Sequence, residues 1–128
     1  MITEDYVSFE TAKLLKEKGF EGENRDWYNM EGFIEEVGVD DGIDPTAHED
    51  IFNSIIPAPT LQMAMKWLRK EHNLGVIPYW SQVSGEFGCR IYDLTKKGSQ
   101  EYHCIRGSFD GFEEPAELGI KYCLENLI

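Results

Sequence analysis

The sequence predicts an α+β fold in one domain: an antiparallel sheet of about four or five strands packed against a central and a C-terminal helix, with an N-terminal helix alongside. Three observations carry this. Residues 61–72 place Leu61, Ala64, Met65 and Leu68 on one stripe of a 3.6-residue period, which is an amphipathic helix. Residues 87–106 alternate apolar and polar about the turn Thr95-Lys96-Lys97-Gly98, which is a β-hairpin. The 128 residues, 41% of them hydrophobic, suffice for one core without metal or disulfide staples.

In chain order, Tyr6-Val7 leads in as a brief strand, and Ser8 caps a helix through Phe9–Lys18. Gly19 ends it, with Phe20 folding back on the last turn as in a Schellman motif. The adjacent aromatics in Asn24–Asn29 predict a short strand whose hairpin partner follows Gly32, at Phe33-Ile34. Residues 35–50, rich in acids and broken by two glycines and Pro45, predict a mobile acidic loop. Ile51–Ile56 reads as a strand ending at Pro57. Pro57-Ala58-Pro59 must be extended, so the central helix begins only after Thr60, its N-cap, and Asn73 and Gly75 stop it. Val76–Trp80 is a strand that Pro78 confines to an edge or a bulge. In the hairpin, Arg90 should face Cys104 and Tyr92 face Tyr102, with Phe87, Cys89, Ile91, Ile105 and His103 on the core side. Gly107–Phe112 is a link, and Pro115 lies in the first turn of a last helix whose apolar stripe is Ala116, Ile120, Cys123, Leu124 and Leu127.

The formal charge of −12 is unevenly spread. Residues 20–50 hold eleven acids and one base, whereas residues 57–128 hold nine acids against eight bases. The acidity belongs to one segment, as an exposed loop or patch comprising Glu31, Glu35, Glu36, Asp40, Asp41 and Asp44. Such a balance opposes direct nucleic-acid binding, and Lys66, Arg69 and Lys70 on the central helix are too few to reverse it. The aromatics Trp27, Tyr28, Tyr79, Trp80, Tyr92 and Tyr102 are expected to pack in the core or to form a protein-binding patch. A nucleic-acid stacking platform would need a basic groove.

Chemistry-bearing patterns are sparse. The EF-hand spacing fails around Gly42, leaving Asp44, His48 and Asp50 as weak metal candidates. Cys89, Cys104, Cys123 and the three histidines show no zinc spacing. His103 and Cys104, adjacent on a strand, point to opposite faces and cannot activate one another. No nucleophile elbow, dinucleotide fingerprint or phosphate loop occurs, so no catalytic residue and no cofactor is expected. Three cysteines without paired spacing and no apolar N-terminal run predict a reducing, cytoplasmic setting, and no stretch approaches the roughly 18 apolar residues of a membrane span.

Three segments, YVSFETAKLLKEKGF at 6–20, PAPTLQMAMKWLRKEHN at 57–73 and IKYCLENLI at 120–128, together resemble a family of small uncharacterised proteins of gut anaerobes, their phages and other mobile elements. The resemblance implies a phage or mobile-element context and carries no activity or site residue. The expected function is a non-enzymatic accessory protein that binds a protein partner. Two alternatives stand beside it: an acidic decoy that offers the 31–44 carboxylates to a DNA- or RNA-binding protein, and a metal-dependent or hydrolytic enzyme.

Overall fold

A computed structural model describes residues 4–21, 26–29, 32–36, 56–98 and 101–128. The fold is α+β. Three helices, α1 (Phe9–Glu17), α2 (Leu61–His72) and α3 (Glu113–Asn126), combine with six strands, β1 (Asp26–Tyr28), β2 (Ile34–Glu36), β3 (Ile56–Pro57), β4 (Leu74–Trp80), β5 (Phe87–Asp93) and β6 (Glu101–Phe109). The strands divide between two three-stranded antiparallel sheets, ordered β2-β1-β3 and β4-β5-β6.

Local chemistry sets the helix ends. Ser8 Oγ accepts the Thr11 N–H, and Gly19 at φ +98 closes a Schellman turn in which the Phe20 N–H reaches the Leu15 carbonyl at 2.9 Å. Thr60 caps α2 by accepting the Met63 N–H at 3.2 Å, and Asn73 ends it in the left-handed region at φ 54. The next residue, Leu74, already begins β4, two positions earlier than the sequence reading placed the strand. Pro78 lies on β4, an edge of its sheet, and Pro57 on β3, an edge of the other, where a missing N–H costs no ladder bond.

The hairpin register agrees with expectation at Arg90↔Cys104 and departs from it at both ends. Tyr92 faces Glu101 rather than Tyr102, because the ladder shifts by one between Ile91 and Tyr92. At the other end Phe87 pairs with Phe109, so β6 runs three residues beyond Arg106 into the stretch read as a link. Gly107 permits this: a Cβ there would stand 2.9 Å from the Phe109 ring. Glu35 and Glu36, read as the start of the acidic loop, belong to β2 instead, where they pair with Trp27 and Asp26. The expected loop from 37 to 50 and the strand at 51–55 lie outside the described residues.

One hydrophobic cluster joins the elements. α2 and α3 cover the inner face of the β4-β5-β6 sheet, burying Val76, Cys89 and Ile91 against Leu68, Ile120, Cys123 and Leu124. Gly119 sets the closeness of the contact: a Cβ there would lie 2.8 Å from Cys89 Sγ and 2.9 Å from Val76 Cγ1. The N-terminal segment is stitched to the start of α2 by a Tyr6↔Thr60 bridge, with the Val7 N–H on the Pro59 carbonyl and the Leu61 N–H on the Asp5 carbonyl. Among the described residues no helix is long and apolar enough to cross a membrane.

Candidate functional site

The stitched N-terminal segment forms one wall of a cleft. The first turn of α3 forms the other, and the start of α2 lies between them. One part of the cleft, about 460 Å³, has Leu61, Met65, Pro78, Phe112 and Ala116 as its apolar lining and Glu4, Asp5 and Glu113 at its rim. A second part, about 450 Å³, shares Asp5, Leu61 and Glu113 with the first and adds Tyr28, Glu114 and Glu117. Among the described residues, neither part is lined by lysine, arginine or histidine.

Each carboxylate has a local reason for its place. Glu113 and Glu114 occupy the first turn of α3, where negative charge complements the helix dipole. α2 has no acid in its first turn, and Asp5 from the adjoining strand-like segment stands close to that end. Glu117 ties α3 to the N-terminal segment: its Oε1 accepts the Ser8 N–H at 2.8 Å. Its Oε2 is buried and has no hydrogen-bond partner among the described residues. The Tyr28 hydroxyl, donating to the Val7 carbonyl, is pushed up in pKa by burial and further by the Glu117 charge. The single lysine of α3, Lys121, pairs with Glu10 at 2.9 Å and Glu125 at 3.8 Å, and the Glu117 charge acts on it more weakly.

The result is an apolar trough with a rim of five carboxylates and, among the described residues, no cation in its lining. Among the described residues no three His, Cys, Asp or Glu side chains group as a metal ion would require. The carboxylates surround an opening and do not converge on a point. An arrangement of this kind suits an extended organic cation, an apolar body with ammonium or guanidinium groups at its margin.

The site residues expected from the sequence fall elsewhere. Glu31, Asp40, Asp41 and Asp44 of the acidic patch, and Asp44, His48 and Asp50 as metal candidates, lie outside the described residues. Glu35 and Glu36 are placed only as β2 backbone. The aromatics divide: Tyr28 is buried, whereas Tyr79, Tyr92 and Tyr102 share with Arg90 and Arg106 the face of the β4-β5-β6 sheet that no described helix covers, its uncovered face. His103 and Cys104 do take opposite faces. The His103 ring stacks on Tyr122 of α3 at 4.2 Å, and Cys104 Sγ lies 3.5 Å from the Tyr79 hydroxyl on the other side. His72 packs edge-on against Trp67 at 4.7 Å.

The cleft carboxylates were readable only one by one. Glu113 and Glu117, four apart, share a helix face, which is a sequence-level signal. Nothing in the sequence brings Asp5 beside them, because that proximity depends on the bridge from Tyr6 to Thr60. No protein-family model matches the chain, and neither does any curated protein or solved structure.

Proposed function

We propose that the chain is a non-enzymatic binding protein whose cleft between the N-terminal segment, α2 and α3 receives a basic, apolar segment of a partner protein. The observation that carries this reading is the pairing of an apolar trough with a rim of Glu4, Asp5, Glu113, Glu114 and Glu117, with no lysine, arginine or histidine lining it among the described residues. Like charges gathered around a low-dielectric floor repel one another, and a cationic ligand relieves that repulsion while covering Leu61, Met65 and Phe112. The chain's charge of −12 extends the same attraction to long range and speeds encounter with a basic partner. The resemblance to mobile-element proteins fits an accessory role in which the partner is a host protein or another product of the element.

A short lysine–leucine peptide, titrated into the isotopically labelled chain with a glutamate–leucine peptide as control, tests the reading. Amide shifts should concentrate at Asp5, Leu61, Met65 and Ala116, saturate, and weaken steeply with salt. In the combined variant Asp5→Asn, Glu113→Gln and Glu114→Gln, affinity should fall at least about tenfold, since charge-assisted contacts are being removed. Shifts scattered over the surface and unchanged in that variant would sink the proposal.

A further inference from the structure

The uncovered face of the β4-β5-β6 sheet carries a second, differently charged cluster. Gly88 of β5 leaves room for the Tyr79 ring to lie across the strand, since a Cβ there would stand 2.6 Å from the ring carbon and hydroxyl. The Tyr79 hydroxyl thereby reaches Cys104 Sγ at 3.5 Å, and Arg106 Nε donates to the same sulfur at 3.4 Å. Arg90 lies over the Tyr79 ring, 5.0 Å from its centroid. Two guanidiniums are thus held on one scaffold of three strands, Arg106 by its contact with Cys104 and Arg90 by its stacking on Tyr79. Among the described residues neither forms a salt bridge with a carboxylate.

Beside them opens a cavity of about 400 Å³ between this cluster and the β4–β5 loop. Ser81 and Ser84 line it with Arg90 and Arg106. The loop is fixed by the Ser81 N–H on the Glu86 carbonyl at 2.8 Å and the Gly85 N–H on the Ser81 carbonyl at 2.7 Å. Ser81 Oγ accepts the Ser84 N–H at 3.3 Å and, among the described residues, its own proton has no acceptor. Arg106 spends one of its five N–H groups on Cys104, and Arg90, stacked on Tyr79, also hydrogen-bonds the Tyr92 side chain and feels the Glu101 charge, which leaves the remaining N–H groups of the two forks for a ligand. Glu86 also lines the cavity, with its Oε1 accepting from the Ser108 hydroxyl at 3.1 Å, and is, among the described residues, the one carboxylate of the lining.

We propose that this cavity is a site for a tetrahedral oxyanion of the phosphate class, clamped by Arg90 and Arg106 and capped by the Ser81 and Ser84 hydroxyls. Paired arginines match the fork geometry of such an ion, and each adds a charge-assisted hydrogen bond to it. This site lies on the sheet face away from the acidic cleft and stands independently of the function proposed for the cleft.

The test is a titration of the labelled full chain with inorganic phosphate, sulfate and O-phosphotyrosine, each at constant ionic strength, followed by amide shifts. Saturable shifts confined to residues 79–90 and 104–107 are expected, and Arg90→Gln or Arg106→Gln alone should weaken binding at least about tenfold. Both side chains are exposed, so the thermal midpoint of these variants should not move. Tighter binding of O-phosphotyrosine than of inorganic phosphate would mark a phosphorylated side chain as the source, and equal binding would mark the free ion. Absence of saturable shifts in those segments, or parental affinity retained in both arginine variants, overturns the proposal.

Discussion

The two faces of the β4-β5-β6 sheet are built from alternate residues of the same strands, and they share almost no chemistry. On the inner face Cys89 touches the surroundings of Cys123 and Gly119, is wholly buried, and has its thiol pKa pushed up to about 12 by that burial. Cys123 is raised to about 12 for the same reason. On the outer face Cys104, beside Cys89 in the sheet, meets a phenol and a guanidinium and is only half-buried. Period-2 alternation separates the two environments within the width of one strand. What decides between them is whether a helix lies on top.

The inner face should break first. Gly119→Val inserts branched carbon where even a Cβ has Cys89 Sγ at 2.8 Å and Val76 Cγ1 at 2.9 Å, both in a packed interior. Denaturant unfolding should show a loss of about 3 kcal/mol, typical of core overpacking. An unchanged midpoint would mean that α3 does not rest on the sheet at that glycine.

Thiol chemistry sharpens the contrast at smaller cost to the fold. In the native protein a water-soluble disulfide reagent should modify Cys104 and leave Cys89 and Cys123 until the chain unfolds. The linkage has a definite sign. Folded-state pKa values raised from 9.0 to about 12 keep the two buried thiols neutral, so their contribution to stability is intact below pH 9. It is lost progressively as pH rises from 9 toward 12, where the unfolded chain ionises and the folded one does not. Stability measured across that range should decline less steeply in Cys123→Ala than in the parent, once both are referred to their values at pH 7. Rapid native labelling of all three cysteines would contradict the assignment of faces.

Much of the inner face was legible in the sequence, because burial imposes periodicity. The α2 stripe, the Ala116, Ile120, Cys123 and Leu124 stripe of α3, and the Arg90↔Cys104 register all follow from patterns of 3.6 or 2. Turn chemistry at Ser8, Gly19, Thr60 and Asn73 was equally local. The division of strands into two sheets was not, because single-strand patterns do not specify which strands pair. The bulges that set Tyr92 opposite Glu101 and Phe87 opposite Phe109 escaped for a related reason: Gly88 and Gly107 are side-chain gaps, and what fills a gap comes from another residue. Net charge could not show the outer face, because a sum of −12 does not say where charges gather: Arg90 and Arg106 line one cavity and the cleft acids another.

The cleft is the claim on which function turns, and an affinity capture from host lysate addresses it most directly. Three baits would be compared: the parent chain, the cleft variant carrying Asp5→Asn, Glu113→Gln and Glu114→Gln, and the sheet-face variant carrying Arg90→Gln and Arg106→Gln. Each would be washed at low salt and then at roughly 0.5 M, where screening shortens charge attraction to a few Å. The account predicts a basic protein retained by the parent and the sheet-face variant, released by salt, and absent from the cleft variant. The same partner retained equally by the cleft variant would contradict it.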